Sequence, residues 1–233
     1  MKLGIMQPYF FPYIGYWQRI NAVNKHVIYD DVNFIKGGWI NRNRIMIGNE
    51  IHFFNLPMLN ASPNKLINEV GVRTDKVAQR KMLQTLEQAY KRAPYYGDIA
   101  PMLFDIITCS ETNLAKYLTS QLRIICGYLQ IKTELLVSSE IQKNNSLRAQ
   151  DKVLEICRII GASEYYNALS GSELYDKAVF AEHNIKLKFI EANTILYKRF
   201  RDEFEPNLSI IDVMMFNSVP EICEMLNDYI ITL

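Results

Sequence analysis

A short apolar run, Lys2–Met6, breaks into an aromatic, proline-bracketed turn and then a helical stretch to about Val23, and a second apolar run follows at His26–Tyr29. Strand, turn, helix and strand in that order make a right-handed βαβ unit. That unit commits the chain to a parallel sheet and puts ligands beyond the carboxyl ends of its strands. The turn reads Gln7-Pro8-Tyr9-Phe10-Phe11-Pro12-Tyr13-Ile14-Gly15-Tyr16, and the second run ends on the carboxylate pair Asp30 and Asp31. The next polar block, Lys36 to Arg44, holds three cations (Lys36, Arg42, Arg44), two amides (Asn41, Asn43) and the indole of Trp39, with little apolar filler.

The same alternation returns farther on. Thr133–Val137, Glu164–Asn167 and Lys186–Glu191 read as strands. Leu147–Ile160 reads as an amphipathic helix stopped by Gly161, and a second helix runs through Phe180 after Ser170-Gly171-Ser172. Ile45–Ile47 and Ile51–Leu56 flank Gly48-Asn49-Glu50 as a β-hairpin. Between these parts, 74–129 is helical by spacing: a helix to Tyr90 capped by Thr74 or Asp75, one over Pro101–Thr108, and one over Glu111–Leu129 capped near Ser110. Ser218 caps a last helix, Pro220–Ile230. The chain is therefore expected to form one α/β domain over 1–233, with a Rossmann-like, mainly parallel sheet and a helical insertion at 74–129. Sheet strands are expected at 2–6, 25–29, 133–137, 164–167 and 186–190.

Composition narrows the function classes. With 26 basic and 25 acidic residues the net charge is +1, and no basic run marks a track for nucleic acid. Met1 leads straight into the first strand, so no signal peptide is expected, and no apolar stretch approaches membrane-spanning length. The four cysteines (Cys109, Cys126, Cys157, Cys223) and three histidines (His26, His52, His183) are scattered, with no C-x-x-C pair. Buried thiols in a reducing cytoplasm are expected, with no metal centre.

Each polar constellation has a functional and a structural reading. The Gln7–Tyr16 turn can present helix amides to an anion, or serve as an aromatic plug at the sheet edge. Asp30-Asp31 can orient an amine, hold Mg²⁺ or bind ribose hydroxyls; alternation turns only one of them toward a site, and a solvated turn is the other reading. Arg42 and Arg44 can fork onto phosphate or carboxylate while Asn41 and Asn43 read sugar hydroxyls; otherwise the block is a solvated basic hairpin. Ser170-Gly171 can admit a ligand close to backbone amides, or form an ordinary serine-capped turn. Tyr197–Phe204, charged and aromatic, suits a lid, an interface or a solvated loop.

These residues also carry a resemblance. Gln7–Tyr16, Tyr29-Asp30-Asp31-Val32 and Trp39-Ile40-Asn41-Arg42-Asn43-Arg44 closely resemble the opening of the WbqC-like family. Ala93-Pro94-Tyr95-Tyr96, Ile156-Cys157, Gly161-Ala162, Ser170-Gly171 and Pro206–Asp212 match in order, so the similarity spans nearly the whole chain. One departure is Tyr197-Lys198-Arg199, where relatives tend to carry Tyr-Pro-Gln. The resemblance implies bacterial O-antigen or lipopolysaccharide biosynthesis, with transfer of an amino acid such as glycine to the amine of a nucleotide-linked sugar. Pro12-Tyr13-Ile14-Gly15-Tyr16 also looks like the His-x-Gly-His region of nucleotidylyltransferases and pantothenate-synthetase-like ligases, with tyrosine at both histidine positions. That similarity implies ATP with Mg²⁺ as cofactors; fold analogy alone does not set function.

The function expected is thus amide formation between an amino-acyl group and the amine of a nucleotide-linked dideoxy sugar, dTDP-linked by preference. In that scheme the Gln7–Tyr16 turn, with Tyr9, Tyr13 and Tyr16, joins Arg42 and Arg44 on the pyrophosphate. Asp30 or Asp31 takes the proton of the attacking ammonium, since only the neutral amine is nucleophilic, and Lys36 stabilises developing charge. Asn41 and Asn43 orient carbonyl or hydroxyls, with Trp39, Ser170 and Gly171 completing the site. The acyl donor is an ATP-activated amino acid, an aminoacyl-tRNA or a thioester, and a homodimer is allowed. Two other classes remain open: an adenylate-forming or nucleotidyl-transfer enzyme acting on another small acid, and a non-catalytic sugar-nucleotide-binding protein.

Overall fold

The computed structural model describes residues 1–200 and 205–232. The charged segment 201–204, part of the expected lid or interface, lies outside the described residues. Six strands form the main sheet: β1 (Lys2–Met6), β2 (Lys25–Ile28), β7 (Glu134–Val137), β8 (Glu164–Ala168), β9 (Lys186–Ala192) and β10 (Tyr229–Thr232). Their spatial order is β10-β9-β8-β1-β2-β7. All neighbours are parallel except β10, which runs antiparallel to β9. The five strands expected from sequence are present, with ends displaced by a residue or two.

Alternation along the strands sorts the core into two layers. Leu3, Ile5 and Val27 face α5 (Ala149–Ile160) and α6 (Lys177–Glu182), where Val153, Ile156, Cys157 and Phe180 close one layer. Ile28 faces the other layer, built from α1 (Ile14–Asn21) with the helical block and α7 (Ile210–Phe216). Gly4 stands where β1 passes His26: a Cβ there would lie 2.9 Å from His26 Nδ1. Among the described residues no helix is long and apolar enough to cross a membrane.

The expected helical block is α2 (Lys76–Tyr90), α3 (Tyr96–Thr108) and α4 (Leu114–Tyr128). Asp75 caps α2, accepting from the Ala78 amide at 3.0 Å. The structure corrects the other two starts. α3 begins before Pro101 and carries it inside; the ring removes the bond to the Gly97 carbonyl, and both residues are exposed, so water can serve that carbonyl. α4 is capped by Asn113, which accepts from Lys116 N at 3.1 Å, rather than near Ser110. The hairpin is β3 (Arg42–Ile47) and β4 (Glu50–Asn55), turning on Gly48-Asn49 with Gly48 at φ 63°, and a small ribbon pairs β5 (Met58–Leu59) with β6 (Gly71–Val72).

Two further corrections concern the C-terminal third. α6 is capped by Asp176, whose carboxylate accepts from Ala178 N at 2.8 Å, and Ser170-Gly171-Ser172 lies in a separate 3-10 turn, Leu169–Leu174. The last helix, α8 (Val219–Met225), is capped by Ser218 as expected but ends well before Ile230; the β-branched tail leaves it as β10 and covers the edge of β9. Gln18 Nε2 fixes that exit, donating to Met225 O at 2.8 Å and Asp228 O at 2.9 Å.

Candidate functional site

β2 and β7 are parallel neighbours, so the residues that leave their carboxyl ends meet. Asp30 leaves β2 and Ser139 leaves β7. The buried Asp30 carboxylate accepts from Ser139 N at 2.9 Å and from Ser139 Oγ at 2.6 Å, which joins the two strand ends. Asp31 points elsewhere, as alternation requires. Its Oδ2 lies 2.8 Å from Lys143 Nζ and 3.0 Å from Lys152 Nζ, and the three side chains are only 9%, 1% and 4% exposed. Lysines this deep are rare without partners. Lys143 also donates to the carbonyls of Ser138 and Ile141, and Lys152 donates to Asp31 O at 2.9 Å beneath the Tyr29 ring. Burial pushes the Asp31 carboxyl up, but hydrogen bonds from Lys143, Ser138 and Lys152 outweigh it and hold the group below its ordinary range.

Two adjoining cavities open around this pair. One, of about 330 Å³, is lined by Tyr29, Asp31, Asn33, Asn145, Arg148 and Lys152, among others. The other, of about 500 Å³, is lined by Asp30 with Asn113, Lys116, Thr119, Arg123 and Glu140. Asn68 and Ser139 line both. Thr119, 5% exposed, lines the second cavity with its hydroxyl buried and without a hydrogen-bond partner among the described residues. Cations from α4 and α5, carboxylates from β2, and amides from the loops therefore converge at the carboxyl edge of the sheet. Such an arrangement has the chemistry to hold a polar, anion-bearing molecule.

The other residues singled out from sequence lie elsewhere. The Gln7–Tyr16 turn is an aromatic plug. Phe10 and Phe11 are fully buried, and Phe10 stacks on Phe54 at 5.4 Å. Phe11 adopts φ 42°, a conformation that side chains rarely occupy, and its backbone is held from three directions. Asn43 Nδ2 and Ser209 Oγ donate to its carbonyl, each at 2.9 Å, and its amide donates to Gln121 Oε1 at 3.2 Å. Tyr16 is 1% exposed, its hydroxyl donates to Gln7 O at 3.0 Å, and burial pushes its pKa up. Tyr9 packs on it at 5.4 Å, and Tyr13 stands at the start of α1 with its ring against Gly15.

The basic block also turns to its own fold. Arg44 donates to Pro206 O at 2.9 Å and Asn207 O at 3.3 Å, and pairs with Glu205 at 3.4 Å. Arg42 donates to Gly38 O at 3.2 Å and to Gly37 O, with its guanidinium 4.4 Å from the centre of the Phe53 ring. Asn41 donates to Leu56 O at 3.4 Å, while Lys36 and Trp39 are exposed. The single cleft expected for Tyr9, Tyr13, Asp30, Asp31, Lys36, Asn41, Arg42 and Arg44 is therefore divided. The carboxylates line the sheet-edge cavities, and the two arginines bind loop carbonyls. Ser170 and Gly171 follow β8, off the ends of β2 and β7. Tyr197 anchors the segment before 201: its hydroxyl and that of Tyr90 donate to buried Asp212 at 2.7 and 3.1 Å.

Sequence reading missed Lys143, Lys152, Asn68, Thr119, Lys116, Arg123 and Arg148. Lys152 left one signal: it sits with Val153, Ile156 and Cys157 on the apolar stripe of α5, where a lysine needs a buried partner.

Comparison with known proteins gives a full-length relative and a family. The chain is 29% identical over 219 residues to the uncharacterized protein Rv1507c of Mycobacterium tuberculosis, covering 93% of each chain. The family model of the WbqC-like protein family matches residues 7–224. No solved structure matches.

Proposed function

The chain belongs to the WbqC-like protein family, and from that premise we propose that it is a cytoplasmic enzyme of bacterial surface-polysaccharide biosynthesis. It forms an amide between an amino-acyl group, such as glycyl, and the amine of a nucleotide-linked dideoxy sugar. The observation that carries this reading is the divided cleft at the carboxyl ends of β2 and β7, where Asp30 faces one cavity and the buried Lys152 borders the other, with Lys143 behind it. In chain order the sheet reads 3-2-1-4-5-6 from the β7 edge, the order of dinucleotide-binding sheets; its switch point lies between β1 and β8, one strand from the cleft.

The two carboxylates suit different tasks. Asp31, held ionised between two ammonium groups, is a poor proton acceptor. Asp30 accepts only from Ser139 among the described residues and lines the larger cavity, so it takes the proton of the sugar ammonium. The β1–α1 turn does not fit the ATP phosphates in the manner of His-x-Gly-His enzymes, because the Tyr16 hydroxyl is turned inward onto Gln7 O. Nor does Asp31, with its two ammonium partners, fit Mg²⁺. In this reading the acyl group arrives already activated.

The test is to incubate the protein with a dTDP-linked 4-amino-4,6-dideoxy sugar and either a glycyl thioester, glycyl-tRNA, or glycine with ATP and Mg²⁺. Mass spectrometry should show the glycyl amide with a pre-activated donor, and Asp30→Asn should abolish it while sugar binding persists. Product with ATP and glycine alone would restore the ligase reading. Micromolar binding of the sugar without product from any donor would favour a binding protein.

A further inference from the structure

We propose that the smaller cavity is a phosphate subsite, in which Lys152 and Arg148 hold a phosphoryl group of the nucleotide-linked substrate. The assignment rests on the reading above for the identity of that substrate, but its physical basis is separate. Asp31 is the one carboxylate lining this cavity. Against it stand Lys152 and Arg148 on the wall and Lys143 directly behind, so three cations meet a single anion. Two of those cations are almost wholly withdrawn from water, where an unbalanced charge is expensive.

The donors show which cation is left over. Lys143 Nζ has three oxygen acceptors: Asp31 Oδ2 and the carbonyls of Ser138 and Ile141. Lys152 Nζ has two, Asp31 Oδ2 and Asp31 O, with the Tyr29 ring 5.2 Å away. An ammonium carries three protons, so one N–H of a side chain 4% exposed has no oxygen acceptor among the described residues, and Lys152 lines the cavity. Arg148 commits Nη1 to Asn145 O at 2.6 Å and Leu147 O at 3.0 Å, which fixes the fork at the rim and leaves Nε and Nη2 for a ligand. Arg148 is also the N-cap of α5, and no side chain caps that helix. The acid of the first turn of α5, Asp151, is exposed and stands outside the lining. Asn33, Asn68 and Asn145 complete a lining of neutral hydrogen-bond groups. An excess of two charges suits a phosphoryl dianion better than the single charge of an amino-acid carboxylate.

Calorimetry with pyrophosphate as the probe tests the assignment on the whole protein, with glycine and acetate as the carboxylate arm and the dTDP-sugar as the substrate arm. Pyrophosphate is expected to bind in a salt-dependent manner. Arg148→Ala should weaken it at least tenfold with the melting temperature unchanged, since Arg148 is exposed, and Lys152→Met should abolish it. If Lys152→Met fails to fold, Arg148→Glu decides, with complete loss expected. No pyrophosphate binding to the wild type, or wild-type affinity in both Arg148→Ala and Arg148→Glu, overturns the subsite. Competition by acetate or glycine at lower concentration than phosphate reassigns it to a carboxylate and also overturns it. Pyrophosphate binding lost in the variants while no nucleotide sugar binds keeps the subsite and rejects the sugar-nucleotide reading. Unchanged sugar turnover in Arg148→Glu does the reverse.

Discussion

His26 shows how far one residue can depart from its ordinary chemistry. It is 2% exposed, neither ring nitrogen has a hydrogen-bond partner among the described residues, and the Tyr16 ring meets it edge-on at 6.0 Å. Burial, with the nearby Arg19 guanidinium, lowers its pKa from 6.5 to about 3. The unfolded chain thus takes up a proton below pH 6.5 that the folded chain refuses until about pH 3. Stability from this group is fully present above pH 6.5 and is lost as pH falls through that window, by up to roughly 1.4 kcal/mol per pH unit. Urea midpoints measured between pH 7 and pH 4 should fall steeply in the wild type. His26→Leu should flatten the slope; an unchanged slope would assign the acid sensitivity to other groups.

At the scale of elements, the hairpin and the first turn are one unit. Asn43, on β3 and 2% exposed, donates to Phe10 O at 3.2 Å and Phe11 O at 2.9 Å, holding the left-handed backbone of Phe11 in place. Asn43→Ala leaves Phe10 O without that donor in the interior, and the expected loss is about 1–3 kcal/mol in urea unfolding. Arg42, part-exposed and bonded to its own loop, should lose far less when changed to alanine. A reversed order of the two variants would remove the clamp. This is where sequence reading stopped short. The Asn–Arg spacing was visible, but β-strand alternation alone does not say whether Asn43 faces ligand or core. The partner that decides it, the carbonyl of a residue thirty-two positions earlier, follows only from how the hairpin folds back.

The whole molecule is joined at the Asp31 cluster, where the end of β2, the loop after β7 and the helix α5 meet. Asp31→Ala would leave two buried ammonium groups facing each other, and a loss of about 3–5 kcal/mol is expected. Asp31→Ala with Lys143→Met should recover much of that stability, because one cation then leaves with the anion. A double variant no better than the single one would show that the carboxylate acts mainly by holding Lys152. Clusters of this kind are poorly legible in a sequence. Asp31 is separated from Lys143 and Lys152 by a helical block whose length conveys nothing about which loops it brings together.

What the sequence determined by itself is the alternation of short apolar runs with helical periods, and with it the parallel sheet, the helical block and the carboxyl edge to which Asp30 and Asp31 belong. Those features depend on contacts a few residues apart, and periodicity records them. Tertiary structure alone decided that Tyr229–Thr232 is a strand, because an apolar tail takes whichever partner is left, here the open edge of β9. It also decided that Arg42 and Arg44 bind loop carbonyls while Lys143 and Lys152 meet at Asp31. A cation's sequence neighbours show that it carries charge. Which oxygen lies within 3 Å of it depends on distant chain segments brought together in folding, and there the physics of burial selects its partner.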